Sequence, residues 1–202
     1  SIAHGGIAIP VINPLSMETI KANLDLANAA HPFAVSLVID SAGLPHLKKV
    51  SPDAGAKSVE QLRELCEYAE MPVIIKGVMT AQGAVKAADA GAAAIVVSNH
   101  GGRVLASAAA TAEVLPEIVE AVGGRVKIIV DGGIRSGTDI FRALALGADA
   151  VMICRPILIS YYGGRTDGIV TYVEKLRAEL KDAMYMCGAR KISDIDRSMI
   201  RF

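Results

Sequence analysis

"AAAIVVSNHGGRVL" (92–105) is an apolar run that ends abruptly in polar chemistry. Its first seven residues hold six apolar ones without polar alternation, the pattern of a strand buried on both faces in a parallel sheet. Ser98, Asn99 and His100 follow at once, and Gly101 and Gly102 separate the imidazole from Arg103. A strand that ends by presenting an imidazole and a guanidinium three residues apart has a reason to do so, because α/β folds build their sites at the carboxyl ends of their strands.

Five further runs on either side of it read as buried strands: "IAIPVI" (7–12), "FAVSLVI" (33–39), "PVIIKGV" (72–78), "VKIIVD" (126–131) and "AVMIC" (150–154). Between them lie segments with apolar spacing of three and four, opening at Ser16, Ser58, Thr80, Thr111 and Ser136, where Ser or Thr suits an N-cap. The stretch 167–188 predicts the longest amphipathic helix, closing the fold, and 42–57 lacks periodicity and reads as a long loop on the active-site side. A strand–helix unit thus recurs every 20–35 residues, and "AGAAAIVV" and "LGADAVMI" repeat the same helix-to-strand boundary. That pattern means a parallel sheet with helical crossovers, either doubly wound or a (β/α)8 TIM barrel. An open sheet announces a nucleotide site after its first strand, whereas here the reactive side chains follow four different strands, which is the habit of a barrel. The expectation is one α/β domain over 1–202, a barrel of about six βα units without its N-terminal units.

Composition narrows the function classes. With 21 basic and 21 acidic residues and no basic cluster, nothing points to nucleic acid or a membrane surface as partner. No leader or apolar run of spanning length stands out, and Cys66, Cys154 and Cys187 show neither CxxC pairing nor metal-ligand spacing. The expectation is a cytoplasmic protein that acts on a small molecule, holds no metal and buries its cysteines as small hydrophobes.

The strand ends carry the chemistry. Asp40 closes "SLVID", and a carboxylate there can pair with His100 and orient its ring. The Gly101–Gly102 hinge lets Arg103 turn back to the same place, where a planar guanidinium suits a substrate carboxylate. Lys76 closes "VIIK", and three roles stay open for it: stabilising an anionic cofactor atom, forming a Schiff base, or pairing with a neighbouring carboxylate. In "VDGGIRSGTD" (130–139), Gly132 and Gly133 let backbone approach a ligand, and the helix start beyond Ser136 favours an anion. "ICRPI" (153–157) adds Arg155 one unit after Arg135, so two consecutive strand ends offer arginines to a phosphate. His4, His31 and His46 have no such setting and read as surface or loop residues.

"SNHGGR", "VIIKGVMT", "DGGIRSGTDIFRALALGADAVMI" and "RP", in this order, resemble the FMN-dependent 2-hydroxy-acid dehydrogenase/oxidase family, which includes glycolate oxidase, lactate oxidase and flavocytochrome b2. The resemblance implies a TIM barrel, FMN as cofactor, a small carboxylate substrate and a homo-oligomer of four copies or more. It implies that His100 is the catalytic base, Asp40 its partner, Arg103 the substrate-carboxylate ligand and Lys76 the stabiliser of the reduced flavin. Ser98, Asp131, Gly132, Gly133, Arg135, Cys154 and Arg155 correspond to cofactor contacts. Cys154 stands where the family usually has glycine, and the second arginine often found after the Asp40 strand has no counterpart in "SAGLPHLKK". The expected activity is oxidation of a small L-2-hydroxy acid of the lactate or glycolate type. The alternatives are another FMN barrel, such as type 2 isopentenyl diphosphate isomerase, or a flavin-binding barrel without turnover.

Overall fold

The computed structural model describes residues 5–201, apart from the side chains of Pro45, His46 and Val50. Six strands, β1 (Val11–Ile12), β2 (Val35–Val38), β3 (Val73–Val78), β4 (Ala94–Val97), β5 (Lys127–Val130) and β6 (Ala150–Val151), form one sheet. All five pairings are parallel, and the spatial order is the chain order. A doubly wound sheet reverses its strand order at a switch point; this sheet has no reversal, so its strands are successive staves of a barrel.

β2 and β4 are buried at every position and β3 nearly so, which explains their unbroken apolar runs; β1, β5 and β6 each keep an exposed residue. Val35, Leu37, Val73, Ile75, Ile95, Val97, Ile128 and Val130 share the large core with the helices, while Ala34, Ile74, Ala94 and Val96 cluster separately. The crossovers are α1 (Met17–Ala30), α3 (Val59–Tyr68), α4 (Ala81–Asp89), α5 (Thr111–Val122) and α6 (Gly137–Ala145). Their buried residues recur at helical spacing: Ile20, Leu24 and Ala27 in α1, and Leu115, Ile118 and Val122 in α5. Ser16, Ser58, Thr80 and Ser136 are N-caps whose side chains accept from the third residue on. Thr111 is not a cap. Ala110 occupies that position, and the Thr111 hydroxyl donates to the Asp131 carbonyl at 2.7 Å, a tertiary bond that outcompetes the local one.

The strands are shorter than the apolar runs, because the run ends cap helices or enter loops. The region 42–57 is more ordered than its sequence indicates. A 3-10 turn over Asp40–Gly43 leads into α2 (Pro45–Val50), where Pro45 starts the helix that periodicity alone cannot reveal in six residues. The helix expected over 167–188 begins earlier, as α7 (Arg155–Cys187), with a break at Gly164 and Arg165 where the backbone leaves helical angles. Only Leu176 of α7 is buried, and Val170 and Val173 are exposed. The cysteines are not uniformly core residues: Cys66 is half-buried, whereas Cys154, in the β6–α7 turn, and Cys187, at the end of α7, are exposed. Burial pushes the Cys66 thiol up to about 11, with Glu67 adding to the shift. His31 is exposed and ends α1 in the left-handed conformation; His4 and the His46 side chain lie outside the described residues. Among the described residues no helix is long and apolar enough to cross a membrane.

Candidate active site

Adjacent strands in register deliver the polar strand ends to one rim. Asp40 follows β2, Lys76 lies in β3, Ser98 and His100 follow β4, and Asp131 follows β5. Lys76 Nζ donates to Ser98 Oγ at 2.8 Å and pairs with Asp131 Oδ2 at 3.2 Å. Of the roles left open for this lysine, the ion pair is therefore present. Ser98 is fully buried, and its Oγ also accepts the His100 backbone N–H at 3.2 Å, so one hydroxyl joins lysine and imidazole. The other Asp131 oxygen, Oδ1, is buried and has no hydrogen-bond partner. Such an oxygen calls for a donor.

His100 Nδ1 lies 3.1 Å from both Asp40 oxygens. With a carboxylate on that side the proton is assigned to Nδ1, which leaves the Nε2 lone pair available. The ring is presented by strained backbone: His100 has φ 54°, and the Asn99 side chain stabilises the turn by accepting from Gly101 N at 3.0 Å and donating to the Ala109 carbonyl at 3.1 Å. Asp40 reaches the ring because Gly77, with φ +102°, leaves room; a Cβ there would lie 2.7 Å from Asp40 Cβ and Cγ. Gly77→Ala is therefore expected to cost about 1–3 kcal/mol of stability and to push Asp40 away from His100. Urea unfolding together with turnover checks this, and a loss of stability with undiminished turnover would contradict it.

A cleft of about 250 Å³ opens beside these residues. Lys76, His100, Arg103, Asp131, Gly132, Gly133, Arg135, Cys154 and Arg155 line it, with Asp40 and Ser98 directly behind. Every residue singled out from the sequence is thus in the cleft wall or in contact with it. Arg155 lies at the start of α7, and its guanidinium rests against Gly101, where a Cβ would come within 2.6 Å of Nη2. Among the described residues, Arg103, Arg135 and Arg155 have no carboxylate partner. Three unneutralised guanidiniums around one cleft make an anion site.

The start of α6, expected to favour an anion, is largely occupied by carboxylates and a hydroxyl of its own chain: Ser136 accepts from Asp139 N, Asp139 accepts from Arg135 N and Ser136 N, and Glu179 of α7 accepts from Gly137 N. Asp139 was legible as the fourth residue of an S-x-x-D box; Glu179, 42 residues away, was not. Lys175 and the Gly137 N–H hold the Glu179 carboxyl below its ordinary value. The start of α7 differs: Cys154, Arg155 and Pro156 line the cleft, and Cys154 makes no side-chain cap bond.

Comparison with known proteins agrees with this geometry. A peroxisomal (S)-2-hydroxyacid oxidase of Arabidopsis thaliana is 43% identical over 145 residues, which cover 72% of this chain and 39% of that protein. A 4-hydroxymandelate oxidase of Amycolatopsis orientalis is 42% identical over 85% of this chain and 46% of its own length. An L-lactate oxidase of Nostoc sp. is 44% identical over 70% of this chain and 39% of its own. The chain spans about two fifths of the length of these relatives. Among solved structures, a mandelate oxidase variant with (S)-mandelic acid superposes with a TM-score of 0.87 at 32% identity, over 96% of this chain and 63% of that one. The family described as FMN-dependent dehydrogenase matches residues 14–202, almost the whole chain, and with it strands β2 to β6 and their polar rim; this chain belongs to that family.

Proposed function

We propose that this site oxidises a small L-2-hydroxy acid to the 2-oxo acid with FMN as cofactor. The observation that carries the reading is the placement, in one cleft, of an imidazole backed by a carboxylate, an unpaired Arg103 three residues on, and a second pair of unneutralised arginines beyond Lys76. One anion-binding set suits the substrate and the other suits the cofactor phosphate. The residues also fit FMN in detail: the orphaned Asp131 Oδ1 can accept from a ribityl hydroxyl, and Arg135, Arg155 and the open α7 start suit a phosphate. Gly132 and Gly133, both left-handed with φ 85° and 78°, let the chain turn beside it. Cys154 lies at the same corner.

When bound, FMN supplies the two-electron acceptor for the hydrogen at carbon 2 of the substrate. The protein supplies the rest. Arg103 holds the substrate carboxylate, His100 Nε2 accepts the proton that oxidation of the alcohol releases, and Asp40 keeps the ring in the tautomer that can accept it. The positive charge of Lys76 stands where negative charge would accumulate on a reduced ring. Lactate, glycolate and mandelate type acids share the carboxylate and the adjacent carbinol that these groups address. The reading extends to a homo-oligomer of four copies or more, as the resemblance implies, and to a cytoplasmic location, which three free cysteines support.

Arg103→Lys tests the substrate assignment. The planar fork is lost while the charge stays, so KM for a 2-hydroxy acid is expected to rise on the order of tenfold or more, with FMN affinity unchanged. Equal weakening of both ligands would move Arg103 into the cofactor site.

A further inference from the structure

The cleft wall that carries Arg135 is held from behind in a way that the site itself does not require. The Arg135 peptide is fixed on both sides: its N–H donates to Asp139 Oδ2 at 3.0 Å, and its carbonyl accepts from the Tyr172 hydroxyl of α7 at 2.9 Å. Its guanidinium makes only a weak bond to the neighbouring Ile134 carbonyl at 3.3 Å and otherwise faces the cleft. Tyr172 lies 37 residues away in the chain, on α7, whose one buried residue is Leu176 and whose Glu179 accepts from Gly137 N of α6. Where α7 does touch α6 the approach is backbone to backbone: a Cβ on Gly137 would overlap the main chain at Leu176 and Leu180. This contact sets the height of α7, and the height of α7 places the Tyr172 hydroxyl under Arg135.

We propose that Tyr172, with Asp139, is a positioning residue for the anion-binding arginine: it fixes the Arg135 main chain so that the side chain starts from a set point at the cleft wall before the ligand arrives. The inference rests on the reading of Arg135 as a phosphate ligand. Binding through an arginine on a loop costs the ordering of both its main chain and its side chain, and anchoring the main chain on both sides removes the backbone share of that cost. The Tyr172 hydroxyl therefore contributes to anion affinity without touching the anion. Without it the carbonyl of Arg135 turns to water and the loop samples other orientations, while Lys76, Ser98 and Asp131, carried by β3, β4 and β5 in that order, stay where they are.

FMN and riboflavin differ by the phosphate alone, so their affinity ratio isolates this effect. Flavin fluorescence titrations of the wild-type chain, Tyr172→Phe and Arg135→Gln give both dissociation constants. For Tyr172→Phe the expected result is FMN binding weakened about threefold to tenfold with riboflavin binding unchanged. Arg135→Gln is expected to show the same selectivity, larger. If Arg135→Gln is selective for FMN and Tyr172→Phe weakens both flavins equally, or neither, Tyr172 is structural only and the positioning role is overturned. If Arg135→Gln weakens both flavins equally, the phosphate reading of Arg135 falls and the inference falls with it. Asp139→Asn, which alters the other side of the same peptide, is judged by the same ratio should the tyrosine variant fail to fold.

Discussion

Replacing His100 with Gln leaves FMN bound and lowers the rate of its reduction by a 2-hydroxy acid on the order of 10²–10⁴-fold, the usual contribution of a positioned general base. The expectation follows from where the ring sits. Its Nδ1 is taken up by both Asp40 oxygens at 3.1 Å, its backbone N–H is held by Ser98, and Nε2 is the atom left for chemistry. Glutamine keeps comparable bulk and hydrogen-bonding capacity but cannot take up a proton, so the turn and the cofactor wall persist while the base is lost. Anaerobic stopped-flow spectroscopy of the FMN-loaded variant reads the rate directly. Rapid reduction would remove His100 from the mechanism. Asp40→Asn should fall in the same direction by a smaller factor, because it alters the tautomer and not the ring.

Lys76→Met produces the largest expected loss of stability in the site. The ammonium is mostly buried, with 12% side-chain exposure, as is the Asp131 carboxylate with 18%. Removing it strips Asp131 Oδ2 of its ion-pair partner while Oδ1 already has no donor, leaving a charge that the interior cannot solvate. Breaking a buried pair from one side costs about 3–5 kcal/mol. The loss belongs to the carboxylate that is left behind and not to the pair itself. The double variant Lys76→Met/Asp131→Leu should therefore regain most of the stability, although neither variant should hold FMN well. Urea unfolding midpoints decide it: a single variant as stable as wild type would mean that the pair is solvated.

Much of this was legible in the sequence because the informative residues are local. A buried strand shows itself by an apolar run, and a residue at its carboxyl end is placed by counting; Asp40, Lys76, Ser98, His100 and Asp131 were reached that way. Four N-caps were legible for the same reason. The features that local sequence does not encode depend on partners distant in the chain. Tyr172 and Glu179 meet the Arg135 loop only because α7 folds back over α6, and no local spacing encodes that. Thr111 looked like a cap because its neighbours resemble a helix start, yet the Asp131 carbonyl claims its hydroxyl. Gly77 reads as a weakness in a strand until its bulge is seen against Asp40. At the α6 start local spacing shows half of the arrangement: a helix N-terminus attracts anions in general, and here carboxylates of the same chain, one of them 42 residues away, supply most of that charge.

If the proposed function holds, one cleft holds FMN and passes it the electrons of a 2-hydroxy acid. The measurement that addresses it most directly is the visible spectrum of the FMN-loaded chain, recorded anaerobically before and after addition of L-lactate, glycolate or (S)-mandelate. Loss of the oxidised flavin absorbance with at least one of these acids, and its retention in His100→Gln, is the predicted result. A flavin that binds and stays oxidised with all three would contradict the account.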